Sequence, residues 1–300
     1  MMTDPIRGIL TAILPCLLVF GCTAGRSEFA VGSLNIVPLV TTFDDGVIDS
    51  QVIPVRVADG EAWLALDTGA PFTFLFSDTA GPEYVENAGT VEIGCEKWQV
   101  PGYRDEAIGE EMFQGKPIVG VLGLDFFLYV PAEIDYPNNR LVRHLDGKLP
   151  ADNNKFSRVP LRGRENARAL IDVVLDGINM TLMFDTGAHD TILIGAPGGE
   201  NDELTQVQTA DGRKCDVHLG KATLSLPGEE PRTIPVMRAL DFPYVAPELR
   251  EIHAHGLFGL TSLGWRCVVF DFDDGALRLG PLHNAQSGKA IQADVVADRR

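Results

Sequence analysis

Leu64-Ala65-Leu66-Asp67-Thr68-Gly69-Ala70 and Leu182-Met183-Phe184-Asp185-Thr186-Gly187-Ala188 decide the fold, because the chain says the same thing twice. Each is an apolar run delivering Asp-Thr-Gly-Ala. One such tetrapeptide in 300 positions has chance odds on the order of one in two hundred from average residue frequencies. Two copies at matching points of a repeat are not an accident. Upstream of each lies an alternating apolar run with an Asp-Gly turn: Val52 to Leu66 turning at Asp59-Gly60, and Leu170 to Phe184 turning at Asp176-Gly177. Period-two alternation about Asp-Gly predicts a β-hairpin in both places.

The repeat extends outward. Val37-Pro38-Leu39 matches Val159-Pro160-Leu161, and Val91-Glu92-Ile93-Gly94 matches Val217-His218-Leu219-Gly220. Gly120-Val121-Leu122-Gly123 matches Gly256-Leu257-Phe258-Gly259. Ile134-Asp135-Tyr136 and Arg140-Leu141-Val142 match Phe270-Asp271-Phe272 and Leu277-Arg278-Leu279. The spacing between copies is 118 at the tetrapeptides, 126 at Val91 and Val217, and 136 at Gly120 and Gly256. The second copy therefore carries two insertions, one before Val217 and one before Gly256. The copies span 35–145 and 158–282, joined by a polar linker at 146–157. The residues 283–300 lack periodicity and read as a loose tail. Strand signals dominate, and short helical turns are expected only after the paired glycines, at 124–129 and 261–265.

Composition narrows the function. The chain is 45% apolar and 22% charged, a globular balance. Its net charge is −17 and its Lys and Arg do not cluster, which argues against a nucleic-acid surface. No metal site and no cofactor is expected: there is no Cys-x-x-Cys, and His253-Ala-His255 lacks zinc-ligand spacing and partners. Residues 1–21 read as an export signal, with Arg7 ahead of the apolar run Gly8 to Phe20. That run ends in Val19-Phe20-Gly21-Cys22, which is similar to a bacterial lipobox. The similarity implies lipidation of Cys22 and a membrane held through that anchor. The expected location is the cell envelope, at the outer membrane facing the periplasm. Cys95, Cys215 and Cys267 are an odd number, so no complete disulfide framework exists. Cys215 and Cys267 read as buried free thiols, with pairing as the alternative.

The paired tetrapeptides and the later Val121-Leu122-Gly123 and Leu257-Phe258-Gly259 resemble the aspartic peptidases of the pepsin and retropepsin clan. The run Gly120 to Val142 is similar to bacterial retropepsin-like domains; the second copy departs there, with Thr261-Ser262 in place of Asp125-Phe126. The resemblance implies an all-β fold of two tandem retropepsin-like β-barrel lobes, a pepsin-like pseudo-dimer with a central cleft. It implies a monomer, since the lobes share one chain. It implies Asp67 and Asp185 as a catalytic dyad acting on a polypeptide substrate. Thr68 and Thr186 would cross-brace the loops, Gly69 and Gly187 would let the backbone pass behind the carboxylates, and Ala70 and Ala188 would complete the loops. A covering hairpin, if present, is expected at 207–217, turning at Asp211-Gly212. His189 reads as a rim residue, and Asp125 and Asp135 as structural. The rival reading is an inactive peptide-binding or structural envelope lipoprotein on the same fold.

Overall fold

A computed structural model describes residues 34–282 apart from 45–46, 77–83, 104–111, 150–154, 209–213, 244 and 265. The expectations for the export signal, Cys22, the Asp211-Gly212 tip, much of the linker and the tail lie outside the described residues. The described residues are all-β, with two short helices among their strands, α1 (Asp125–Leu128) and α2 (Ala246–Glu251).

Both predicted hairpins form. Val47–Val57 pairs antiparallel with Gly60–Leu66, and Leu170–Leu175 with Ile178–Phe184. In the second, Asp176 and Gly177 both adopt positive φ, 50° and 81°, the pair of left-handed residues a two-residue hairpin turn requires. The second strand of each hairpin then pairs in parallel with the Gly-apolar-apolar-Gly element of its own copy, Leu66 opposite Leu122 and Phe184 opposite Phe258. Strands buried on both faces read as continuous apolar runs, and Ala62 to Leu66 and Leu182 to Phe184 are buried throughout.

The repeat is realised as two rings of six strands with one strand order. In the first, Val47–Val57, Gly60–Leu66, Lys116–Leu122, Phe74–Phe76, Glu96–Tyr103 and Tyr84–Ile93 follow one another. Arg56 opposite Glu92 closes the ring. In the second the order is Leu170–Leu175, Ile178–Phe184, Gly256–Phe258, Thr191–Ile194, Arg232–Ala239 and Lys214–Ser225, closed by Val174 opposite Ser225. Closure removes the open edges that a flat sheet would expose. Ala132–Asp135 pairs antiparallel with Cys267–Asp271, so the two copies meet in a shared sheet, Ile134 opposite Val268. The largest apolar core runs through this seam, with Phe127 and Phe270 in ring contact at 4.7 Å.

Helical turns occur at α1 and as a 3-10 turn at Leu260–Ser262, as expected after the paired glycines. They are not the only ones. α2 lies in the second insertion, with Pro247 in its first turn. Its apolar side, with Val245, Ala246 and Leu249, is buried together with Phe242, an i, i+3, i+4, i+7 stripe. Further 3-10 turns sit at Tyr136–Asn138 and Arg164–Asn166.

Candidate active site

Asp67 and Asp185 are carried to one point by the ends of the two equivalent strands. The backbone N–H of Asp67 donates to Leu122 O at 3.0 Å, and that of Asp185 to Phe258 O at 3.1 Å. Each carboxylate is fixed by its own loop: Gly69 N–H donates to Asp67 Oδ1 and Gly187 N–H to Asp185 Oδ1, both at 2.8 Å. Both aspartates are almost wholly buried, at 3% and 2% exposure.

The threonines tie the loops together reciprocally. Thr68 N–H donates to Thr186 Oγ1 at 2.9 Å and Thr186 N–H to Thr68 Oγ1 at 3.0 Å. The hydroxyls pass the bond on: Thr68 Oγ1 to Phe184 O at 3.1 Å, Thr186 Oγ1 to Leu66 O at 3.3 Å. Each hydroxyl accepts one bond and donates one, so no buried polar group in the brace is orphaned. Such bonds contribute about 1 kcal/mol each when buried and neutral. The exchange is the local signature of a twofold relation between the copies.

The glycine expectation is sharpest at Gly69. A Cβ built there would sit 2.7 Å from Cγ, Oδ1 and Oδ2 of Asp185, inside any real contact. The loop of the first copy therefore passes directly against the carboxyl of the second. Asp67 and Asp185 are within hydrogen-bonding reach of each other, and burial raises the Asp185 pKa against the N–H groups of Gly187, Ala188 and Gly69 that lower it. Two buried carboxyls in contact do not both ionise; they share a proton.

Ala70 and Ala188 are buried behind the carboxyls, and their carbonyls accept the N–H groups of Leu124 and Leu260 at 2.8 and 3.0 Å. Ala70 belongs to an apolar cluster with Phe74, Tyr103 and Val121, and Ala188 to one that includes Met183, Ile192 and Val217. Asp125 accepts from both Thr73 N–H and Thr73 Oγ1, at 2.9 and 2.7 Å, while Thr73 Oγ1 accepts Gly123 N–H at 3.1 Å. In the second copy Thr191 Oγ1 accepts Gly259 N–H at 3.2 Å and meets Ser262 Oγ at 2.6 Å. Ser262 thus stands where the first copy uses Asp125, and the departure from Asp125-Phe126 keeps the same latch with a hydroxyl. Asp135 is bound by Asn138 and Arg140 in its hairpin turn. His189 is half-exposed, with Nδ1 3.1 Å from Asp190 Oδ2, next along the chain from the second loop.

Where the covering hairpin is expected, Glu203–Gln208 pairs antiparallel with Lys214–Ser225, Val207 opposite Cys215, and its Asp211-Gly212 tip lies outside the described residues. Cys95 is exposed, Cys215 buried and Cys267 between the two. Among the described residues no group of three or more His, Cys, Asp or Glu is placed to hold a metal ion, and no helix is long and apolar enough to cross a membrane.

Three contributors escaped the sequence. Gln51 is buried and its Nε2 donates to Thr186 O at 3.3 Å, a further bond between copies. Arg168 and Glu248 form a buried ion pair beside the second hairpin. Position offered the signal: Gln51 and Arg168 lie 16 and 17 residues before the aspartate of their own copy, at the mouth of each hairpin.

No family model matches the chain, and no curated protein matches it. Among solved structures, basic 7S globulin from soybean is similar, with a TM-score of 0.48 and 9% sequence identity over 83% of this chain and 95% of that one.

Proposed function

We propose that the protein is an aspartic endopeptidase built from two retropepsin-like lobes in one chain, with Asp67 and Asp185 as its catalytic dyad. The observation that carries the reading is the contact of the two Asp-Thr-Gly loops, braced by reciprocal threonine bonds, with Gly69 against the Asp185 carboxyl.

The chemistry follows from a shared proton. With the dyad singly protonated, the ionised carboxylate takes a proton from a water molecule as the water oxygen bonds to the peptide carbonyl carbon. The protonated carboxyl gives its proton to the carbonyl oxygen, leaving a tetrahedral diol. The diol then collapses: a hydroxyl proton returns to the dyad, a dyad proton goes to the amide nitrogen, and the C–N bond breaks. The low exposure of both carboxyls keeps bulk water from screening the pair. The test is digestion of casein and a peptide library by residues 23–300 across pH, with Asp67→Asn as the blank. Peptide binding without cleavage would favour the rival non-catalytic reading.

The pH range follows from the loops. Ala70 and Ala188 offer no hydroxyl to the carboxylates, and a donor to an ionised carboxylate lowers its pKa. Burial, which raises Asp185, is left less opposed. We expect an optimum at roughly pH 4.5–6.5, since the active pair moves upward with its pKa values. Ala70→Ser and Ala188→Ser should each shift the bell-shaped kcat/KM profile toward acid. A wild-type peak below about pH 3, or a shift toward neutral in the serine variants, overturns this account.

The envelope location is part of the proposal. Cys22→Ser should move the protein from the membrane to the soluble fraction, and labelled palmitate should enter the wild type and not the variant. Wild-type chain that takes up no label rules the anchor out. The acyl chains must supply the affinity, because a chain of net charge −17 is repelled by anionic lipid.

A further inference from the structure

The two aspartates are alike in their loops and unlike in what stands behind them. In the second hairpin Leu170 is opposite Met183, and the ladder runs one bond further, Phe184 N–H to Ala169 O at 2.7 Å. The next place in that register sets Arg168 opposite Asp185. Arg168 is pinned there: its N–H donates to Gly163 O at 2.9 Å and its Nη1 to Ala167 O at 2.9 Å. Its Nε and Nη2 both donate to Glu248 Oε1 of α2. The side chains are only 10% and 12% exposed. In the first copy the residue at the same distance before Asp67 is Ser50, which carries no charge. The cation and its counter-ion thus belong to one side of the dyad, and the counter-ion comes from the insertion that only the second copy has.

We propose that the Arg168–Glu248 pair is a positioning element in which Glu248 cancels the positive charge that Arg168 would otherwise set beside Asp185. The inference rests on the dyad reading above and deepens it. Arg168 favours the ionised form of Asp185 and Glu248 opposes it; paired, the two nearly cancel. Glu248 feels the site in return: burial raises its pKa, Arg168 lowers it, and Asp185 and Glu251 raise it. The other groups at Asp185 are the Asp67 carboxyl and the N–H groups of Gly187, Ala188 and Gly69, with the His189–Asp190 pair next on the loop.

Removing one partner unbalances the site in a direction fixed by charge. Glu248→Gln leaves a guanidinium uncompensated beside Asp185, which favours the carboxylate. Arg168→Gln leaves a buried Glu248 without its counter-ion and facing Asp185 and Glu251; it takes up a proton, and Asp185 faces two neutral groups. The test is a carbon-13 NMR titration of the full chain carrying labelled aspartate carboxyls, with the Asp185 resonance identified by its loss in Asp185→Asn. Glu248→Gln should lower the Asp185 titration midpoint by about half a unit to one unit of pH, the size expected of one unscreened charge nearby. The double variant Arg168→Gln/Glu248→Gln should return it to the wild-type value, and Arg168→Lys, which keeps the charge, should leave it there. A Glu248→Gln midpoint that stays or rises, a double variant that stays shifted, or a shift in Arg168→Lys overturns the proposal. A merely structural pair would alter stability in all of these without this pattern of signs. The readout needs no turnover: midpoints that move as stated in a chain that cleaves nothing would retire the peptidase reading alone.

Discussion

Asp67→Asn and Asp185→Asn should each abolish peptide hydrolysis, and the double variant should be no slower than either. In the proposed mechanism the two carboxyls work as one acid–base unit, and an Asn can neither accept the water proton nor carry one to the leaving nitrogen. Each single loss is expected on the order of 10³-fold or more, and effects of residues acting as a unit do not add. A single variant keeping a tenth of the wild-type rate would sink the two-carboxyl mechanism. Unfolding will not explain the loss, because the carbonyl oxygen of Asn accepts the Gly187 or Gly69 N–H as the carboxylate does. Stability should in fact favour the variant near neutrality. The Asp185 pKa is raised in the fold by burial. Its contribution to wild-type stability is therefore full at low pH and is lost as pH rises through the folded value. Asn does not titrate, so the advantage of Asp185→Asn in urea unfolding should grow from about pH 4 to about pH 7. An advantage that shrinks over that range would mean that the carboxyl is not raised.

Local signals were legible and closure was not. Alternation, the Asp-Gly turns and the doubled tetrapeptide fix each hairpin, because each depends on residues adjacent in the chain. The Gly-apolar-apolar-Gly element showed itself as a repeat, but its parallel pairing with the Asp-bearing strand joins residues far apart in the chain. The ring closures depend on Arg56 meeting Glu92 and Val174 meeting Ser225, contacts between strands whose own patterns do not name a partner. The seam between copies is of the same kind, Ala132–Asp135 against Cys267–Asp271.

Within the site, residues that act through type and motif were found, and residues that act through position were missed. Asp67, Thr68, Gly69 and their counterparts announce themselves by repetition. Gln51 and Arg168 are single polar residues at the start of apolar runs, where solvated side chains are common. Their importance arises only once the second hairpin strand has run back past them. α2 hid in an insertion, too short for periodicity to separate from a loop, although Phe242, Val245, Ala246 and Leu249 have helical spacing.

Gly69→Ala should cost nearly as much as losing an aspartate, through geometry alone. The added Cβ would lie 2.7 Å from all three carboxyl atoms of Asp185, so one of the two must move. Gly69 is not among the glycines with positive φ, so alanine meets no backbone penalty and the substitution tests the contact cleanly. The loop has little room to retreat. Thr68, its neighbour, is held by Thr186 and by Phe184 O, and Gly69 N–H is itself bound to Asp67. Asp185 is the softer partner, because its side chain can rotate about single bonds, at the cost of the N–H groups of Gly187, Ala188 and Gly69 that face it. The carboxyl should therefore swing away from Asp67, breaking the shared proton. Misplacing a reacting group by about 1 Å costs on the order of 10²-fold. We expect a kcat loss of at least that size, with KM little changed and the circular dichroism of the wild type retained. The proton sharing should fail with it, so the two carboxyl titrations should draw together toward ordinary values. Gly69→Ala with more than half the wild-type kcat would show that the two loops do not meet as closely as the 2.7 Å contact requires.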